Sequence, residues 1–239
     1  MKASLVAIAI LLYLSPAFGV PSGTDSLLLP GIETTEHIEF RLNHRFYGGL
    51  NDRPIENFLG TDYGANTLFG FSFALNPEID FALGRSTIGK EYSLASKWQF
   101  NDTLAAMISA GFKTDPASPD DKSNLSGQLI INKTILTDLC NISLVPTITN
   151  YKNDQPTLAL GSALALVLDA DQEIIGEFIP VLAGYTLRYA TTALGYKVKT
   201  WGHVFTLLIA NTTAQFPDNY TIGSPDNNFH FGFNLIRKF

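Results

Sequence analysis

From residue 38 onward the chain alternates apolar and polar residues with a period of two. Ile38, Phe40, Leu42 and Phe46 stand on one parity, with Glu39, Arg41, Asn43 and Arg45 on the other. Successive side chains of a strand point to opposite faces, so this pattern predicts a strand with one apolar face. It recurs over Asn66–Leu75, where Phe69, Phe71 and Phe73 share a side, and from Ile79 through Phe81 and Leu83. Further segments run over Glu91–Phe100, Leu104–Phe112, Leu125–Ile135, Ile142–Ile148, Thr157–Leu168, Glu173–Leu182, Ala193–Lys199 and Gly202–Asn211. The last, Asn228–Phe239, sets Phe229, Phe231, Phe233, Leu235 and Phe239 against His230, Asn234 and Lys238.

These make about twelve segments of near ten residues, joined alternately by tight turns and longer loops, as in membrane β-barrels. In hydrocarbon every backbone N–H and C=O needs a partner, and a closed antiparallel sheet supplies them all. The predicted fold is therefore all-β: a transmembrane antiparallel barrel of outer membrane type, its last strand closing against Ile38–Phe46. A soluble sandwich is the competing architecture. Tyr92, Trp98, Tyr196 and Trp201 are candidates for the interfacial aromatic girdles.

Composition agrees. The chain is 46% hydrophobic and 16% charged, against about 25% charged for a typical soluble domain. Net charge is -6 without a basic tract, so nucleic acid is not an expected partner. Lys2, the apolar run Leu5–Leu14 and Ala17-Phe18-Gly19 read as a signal peptide over residues 1–19. Residues 20–36, rich in Gly, Pro, Ser and Thr, read as a flexible leader or periplasmic tail, and residues 37–239 as the barrel. The expected location is the cell outer membrane, with its lipids and the barrel-insertion machinery as partners; Phe239 is the expected terminal signal for that machinery.

Candidate chemistry lies on the inward parity. Glu39, Arg41, Arg45, Asp80, Arg85, Lys97, His230 and Asn234 are the candidate lumen network, with Asp62 a possible further carboxylate. Buried charges must be paired or hydrated, so the lumen holds either a side-chain plug or a narrow wet channel. The single cysteine, Cys140, excludes a disulfide framework. Shared metal or haem ligation by His44, His203 and His230 is disfavoured by strand parity. Ser86, Ser93 and His44 offer the residue types of a lipid hydrolase, but no nucleophile elbow marks either serine. No enzyme, catalytic residue, cofactor or metal is expected.

One stretch departs from the alternation. Over Leu158–Leu187, Ala159, Ala163, Ala165 and Val167 oppose Leu158, Leu160, Leu164, Leu166 and Leu168. Small residues on one face allow close packing of a plug inside the barrel, or of a partner against its wall. Two functions follow: a narrow channel or small-solute binding and transport protein, or a non-conducting accessory subunit of a cell-envelope complex.

His44-Arg45-Phe46, Phe58-Leu59-Gly60-Thr61-Asp62-Tyr63-Gly64-Ala65-Asn66, Gly84-Arg85-Ser86 with Lys90-Glu91-Tyr92, Gly202-His203-Val204-Phe205 and Phe231-Gly232-Phe233-Asn234 occur in that order. The set resembles a Bacteroidota family of outer membrane β-barrels of unknown function (DUF5777-like), over about residues 38 to 239. The resemblance implies fold and location, and it brings no catalytic residues.

Overall fold

A computed structural model describes residues 27–34, 38–114, 123–136, 139–151 and 155–239. The expected signal peptide and the first part of the leader lie outside these residues.

The strands are β1 (Ile38–Gly49), β2 (Ala65–Asn76), β3 (Ile79–Ser86), β4 (Glu91–Asn101), β5 (Leu104–Lys113), β6 (Ser123–Ile135) and β7 (Cys140–Tyr151). They continue as β8 (Gln155–Val167), β9 (Gln172–Ile179), β10 (Val181–Ala183), β11 (Thr191–Thr200), β12 (His203–Ala210) and β13 (His230–Lys238). Apart from β9 and β10, which both lie against β8, each pairs antiparallel with its sequence neighbours. Proline has no N–H to give the ladder, so Pro180 divides β9 from β10, and its carbonyl still accepts from Leu160 N at 3.1 Å. Because β9 and β10 both pair with β8, they form one stave of a twelve-stave barrel.

β1 and β13 close the sheet, in register from Glu39↔Lys238 to Arg45↔Gly232. Phe239 N adds a bond to Ile38 O at 3.0 Å. The sheet thus closes on itself, which satisfies the backbone of the wall within lipid.

Parity sorts the wall as the alternation predicts. Phe69, Phe71, Phe73, Leu83 and Leu94 face outward and are exposed, while Asn43, Arg45, Lys97, Gln128 and Asn234 face inward and are buried. Trp98, Phe100 and Trp201 ring the end of short turns, and Tyr47, Tyr63, Tyr92 and Phe112 the end of longer loops. A lipid-facing belt between aromatic rims is the form that membrane barrels take.

Two segments then fill the lumen. Residues 27–34 do not hang below the barrel as a tail; they run inside it. Thr34 stands at the turn end, where its N–H donates to Gln99 Oε1 (3.1 Å) and its hydroxyl to Pro77 O (2.7 Å). Leu27 lies deep inside, 3% exposed. From the loop end, the β12–β13 connection folds inward through the one-turn helix α1 (Pro217–Tyr220), with Asp218 and Tyr220 buried. Leu29 and Ile32 of the first segment share a buried cluster with Tyr220 of the second and with Ala159 and Ala163 of β8. The small inward residues of β8 thus receive a plug made by the chain itself.

Candidate functional site: a lumen filled from both ends

The first segment is gripped at its inner end. Glu177 of β9, 3% exposed, accepts from the N–H groups of Leu27 (2.7 Å) and Leu28 (2.8 Å), and from Leu29 at 3.4 Å. The Leu27 carbonyl accepts in turn from Arg45 Nη2 and Asn234 Nδ2, each at 3.3 Å. Arg45 is itself fixed by Asn234 Oδ1 at 2.7 Å and His44 O at 2.9 Å. One peptide is therefore clasped by a carboxylate on its N–H side and a guanidinium on its carbonyl side. Nearer the turns, Lys97 Nζ donates to Gly31 O (3.4 Å) and to Glu33 O.

Wall glycines seat the side chains of both segments. A Cβ at Gly195 would lie 2.5 Å from Leu27, one at Gly161 2.6 Å from Leu29, and one at Gly84 3.1 Å from the Phe216 ring. Each leucine so buried is worth about 1.5–3 kcal/mol, but only because the wall residue facing it lacks a side chain.

The second segment is held by hydrogen bonds around the loop end. Thr191 Oγ1 donates to Tyr220 O (2.7 Å), Gln128 Nε2 to Tyr220 Oη (3.2 Å) and Asn66 Nδ2 to Thr213 O (2.7 Å). A two-residue bridge joins Tyr189 and Ser224. Asp218 lies 3.7 Å from Lys113 Nζ, and Asn219 Nδ2 donates both to Asp218 (2.8 Å) and to Glu91 Oε2 (3.1 Å). Burial, and then the neighbouring Glu91 carboxylate, push the Asp218 carboxyl well above the ordinary range.

Between the segments, against β1–β5, remains a cavity of about 140 Å³. Arg41, Asn43, Arg45, Asp80, Lys97 and Asn234 of the expected network and its parity line it, and Leu28, Met107, Phe216 and Tyr220 supply apolar surface. Asp80 and Lys97 pair at 3.6 Å.

Other expected residues fall elsewhere. Glu39 is inside but beside Lys238, at 3.7 Å near the turn end. His230 keeps the inward parity, at the loop-end start of β13 opposite Gly49 and Ala210. Arg85 does not join the lumen: it shares the outward parity of Phe81 and Leu83, and its guanidinium lies over the Tyr92 ring at 5.5 Å. Asp62 is exposed in the β1–β2 loop. His44 faces outward, stacked on Phe233 at 4.8 Å, while Ser86 donates inward to Asn66 Oδ1 at 2.6 Å. Ser93 lines the cavity, so Ser86, Ser93 and His44 do not form one site. Among the described residues no group of three His, Cys, Asp or Glu side chains is placed to hold a metal ion.

Several interior residues escaped the sequence reading: Glu177, the Glu91–Asp218–Lys113 cluster, and Glu173 with Lys197 (3.4 Å) and Lys199 (2.5 Å). Glu177 carried a usable signal, as a carboxylate of inward parity in an otherwise apolar stretch.

A family model described as a membrane-bound β-barrel domain (DUF5777) matches residues 24–239. The chain belongs to this family. It is a membrane β-barrel, and it shares its fold with solved porins. The KdgM porin superposes with a TM-score of 0.56 at 10% identity, covering 84% of this chain and 99% of that one. The NanC porin gives 0.54 at 7% identity, covering 84% and 99%. Such identities speak for architecture alone. Among curated proteins none matches the chain in sequence.

Proposed function

We propose that the chain is an outer membrane barrel that passes a small polar solute, with residues 27–34 and the β12–β13 connection as its two gates. The observation that carries this reading is the polar cavity between two lumen segments that are held by side-chain seats and hydrogen bonds. A barrel needing only to be solid would gain by filling that space, since voids forfeit packing energy. The secretory pattern of residues 1–19 and the lipid-facing belt between aromatic rims support the outer membrane as its location, with the turns towards the periplasm. The fold shared with porins is compatible with passage.

Conductance across a planar bilayer tests it. The parent barrel is expected to be closed or nearly so. Replacing residues 213–224 by a flexible linker, together with Glu177→Ala, is expected to give discrete, salt-dependent current. If that variant keeps the heat-sensitive gel mobility of a folded barrel and stays silent, passage is excluded.

A further inference from the structure

The cavity is hollowed out of the wall by small residues. Along β2–β5 the inward positions carry Gly70, Gly84 and Ser93 in one row, and Ser72, Ala82, Ala95 and Ser109 in the next. On β8 and β11 the corresponding hollows at Gly161 and Gly195 are taken by Leu29 and Leu27. The hollow on β2–β5 receives the edge of the Phe216 ring over Gly84, and the space beside it stays open. It has two unlike sides. Serine hydroxyls and Asn43 stand on the wall, and Leu28, Phe216 and Tyr220 of the lumen segments stand opposite.

The charges around the hollow are answered within the protein. Lys97 pairs with Asp80 at 3.6 Å, and Arg45 meets Glu177 across the Leu27 peptide. Arg41 has a partner of its own, and so has Glu33 of the lumen segment, whose carbonyl accepts from Lys97. Three cations and three carboxylates leave no charge for a ligand to neutralise. What the protein leaves unused is hydrogen-bonding capacity. Asn43, 8% exposed, has its Oδ1 buried without a hydrogen-bond partner among the described residues, and the same holds for Gln215 Oε1. Arg45 Nε is an unused donor. The hydroxyls of Ser72, Ser93 and Ser109 have no partner there either. Buried polar groups normally find partners. The two amide oxygens call for donors, which a carboxylate lacks and an ammonium brings only with a charge. A hydroxyl donates and accepts without one. Water does so too, but against Leu28 and Phe216 it would find too few polar partners.

We infer that this cavity is a binding site for a small uncharged polyol. Its volume is close to that of a cavity that accommodates benzene, so the ligand has about six to eight non-hydrogen atoms, the size of glycerol or erythritol. Its hydroxyls donate to Asn43 Oδ1 and Gln215 Oε1 and exchange hydrogen bonds with the wall serines. Its C–H face lies against Leu28, Met107 and Phe216, where those atoms need no polar partner.

This inference deepens the passage reading by naming its solute class, and it rests on a separate measurement. The full chain in lipid nanodiscs is titrated with erythritol, and saturation-transfer NMR reads the bound fraction. Erythritol is expected to bind, and its carboxylate-bearing relative erythronate at least about tenfold more weakly, because a buried charge without a counter-charge is costly. Asn43→Leu, which removes one acceptor, is expected to weaken erythritol about fivefold. Ser109→Leu, which fills the hollow, is expected to abolish binding while the heat-sensitive gel mobility of a folded barrel remains. The inference is overturned if the folded parent shows no transfer to erythritol at millimolar concentration. Equal binding of erythronate, or transfer that persists unchanged in folded Ser109→Leu, overturns it too. Erythritol binding by a barrel that stays silent with both gates removed would sink passage alone; conduction without erythritol binding would sink only this inference.

Discussion

A single carboxylate does much to hold residues 27–34 inside the barrel. Glu177 accepts from the N–H groups of Leu27 and Leu28 at 2.7 and 2.8 Å, and bonds to a charged group are worth about 1.5–3 kcal/mol each. Glu177→Ala also leaves those donors unsatisfied next to Arg45. We expect the segment to leave its seat while the barrel stays folded. With Cys140→Ser as background and Leu28→Cys as reporter, maleimide labelling should accelerate at least about tenfold, as loss of roughly 1.4 kcal/mol or more requires. Labelling at the parent rate would show that Glu177 does not hold the segment. At this scale the alternation was largely legible: it placed Asn43, Arg45, Lys97 and Asn234 inside and the phenylalanines of β2 outside. Arg85 went astray because its charge outweighed its parity, which it shares with Leu83. Glu177 was passed over because its partners are backbone groups about 150 residues away, and no local pattern records them.

The β12–β13 connection behaves as an element with its own titration. Asp218 is buried beside Glu91, with Lys113 as the cation facing both and with Asn124 and Asn219 donating to Glu91. Its carboxyl is raised in the seated loop, so the seated state holds the proton more tightly than a released loop, whose Asp titrates near about 3.9. Seating is therefore strongest at acid pH and weakens as pH rises from that value through the raised one. Chymotrypsin cleavage after Tyr220 reads this directly. At pH 8 the parent should be cut faster than Asp218→Asn, which keeps the hydrogen-bonding shape without the charge. Equal rates in the two proteins would exclude Asp218 as the titrating latch. The strands of the wall were legible because each carries its own period. This loop and residues 27–34 were not, because Leu27-Leu28-Leu29-Pro30-Gly31 and Phe216-Pro217-Asp218-Asn219-Tyr220 have no periodicity and take their shape from the wall. Only the alanines of β8 hinted at what lies against them.

The whole molecule is a lipid-facing cylinder around a protein core. Its outer surface is tested by Leu83→Arg, at mid-height on β3 and 51% exposed, which should cost about 2–4 kcal/mol if lipid covers it. Equilibrium unfolding in lipid bilayers measures this, and a cost near zero would mean that Leu83 faces water. The closed fold, its twelve staves and its membrane setting all followed from alternation and segment length. The filled interior did not, because a period of two tells which way a side chain points and not what meets it. That interior has a further consequence. Tyr220, reaching in from one side of the membrane, and Leu29 and Ile32, reaching in from the other, share one buried cluster. Whatever free energy one segment lends the other is returned in full. Drawing the N-terminal segment out would therefore loosen the loop at the opposite end, because the two are packed on one another.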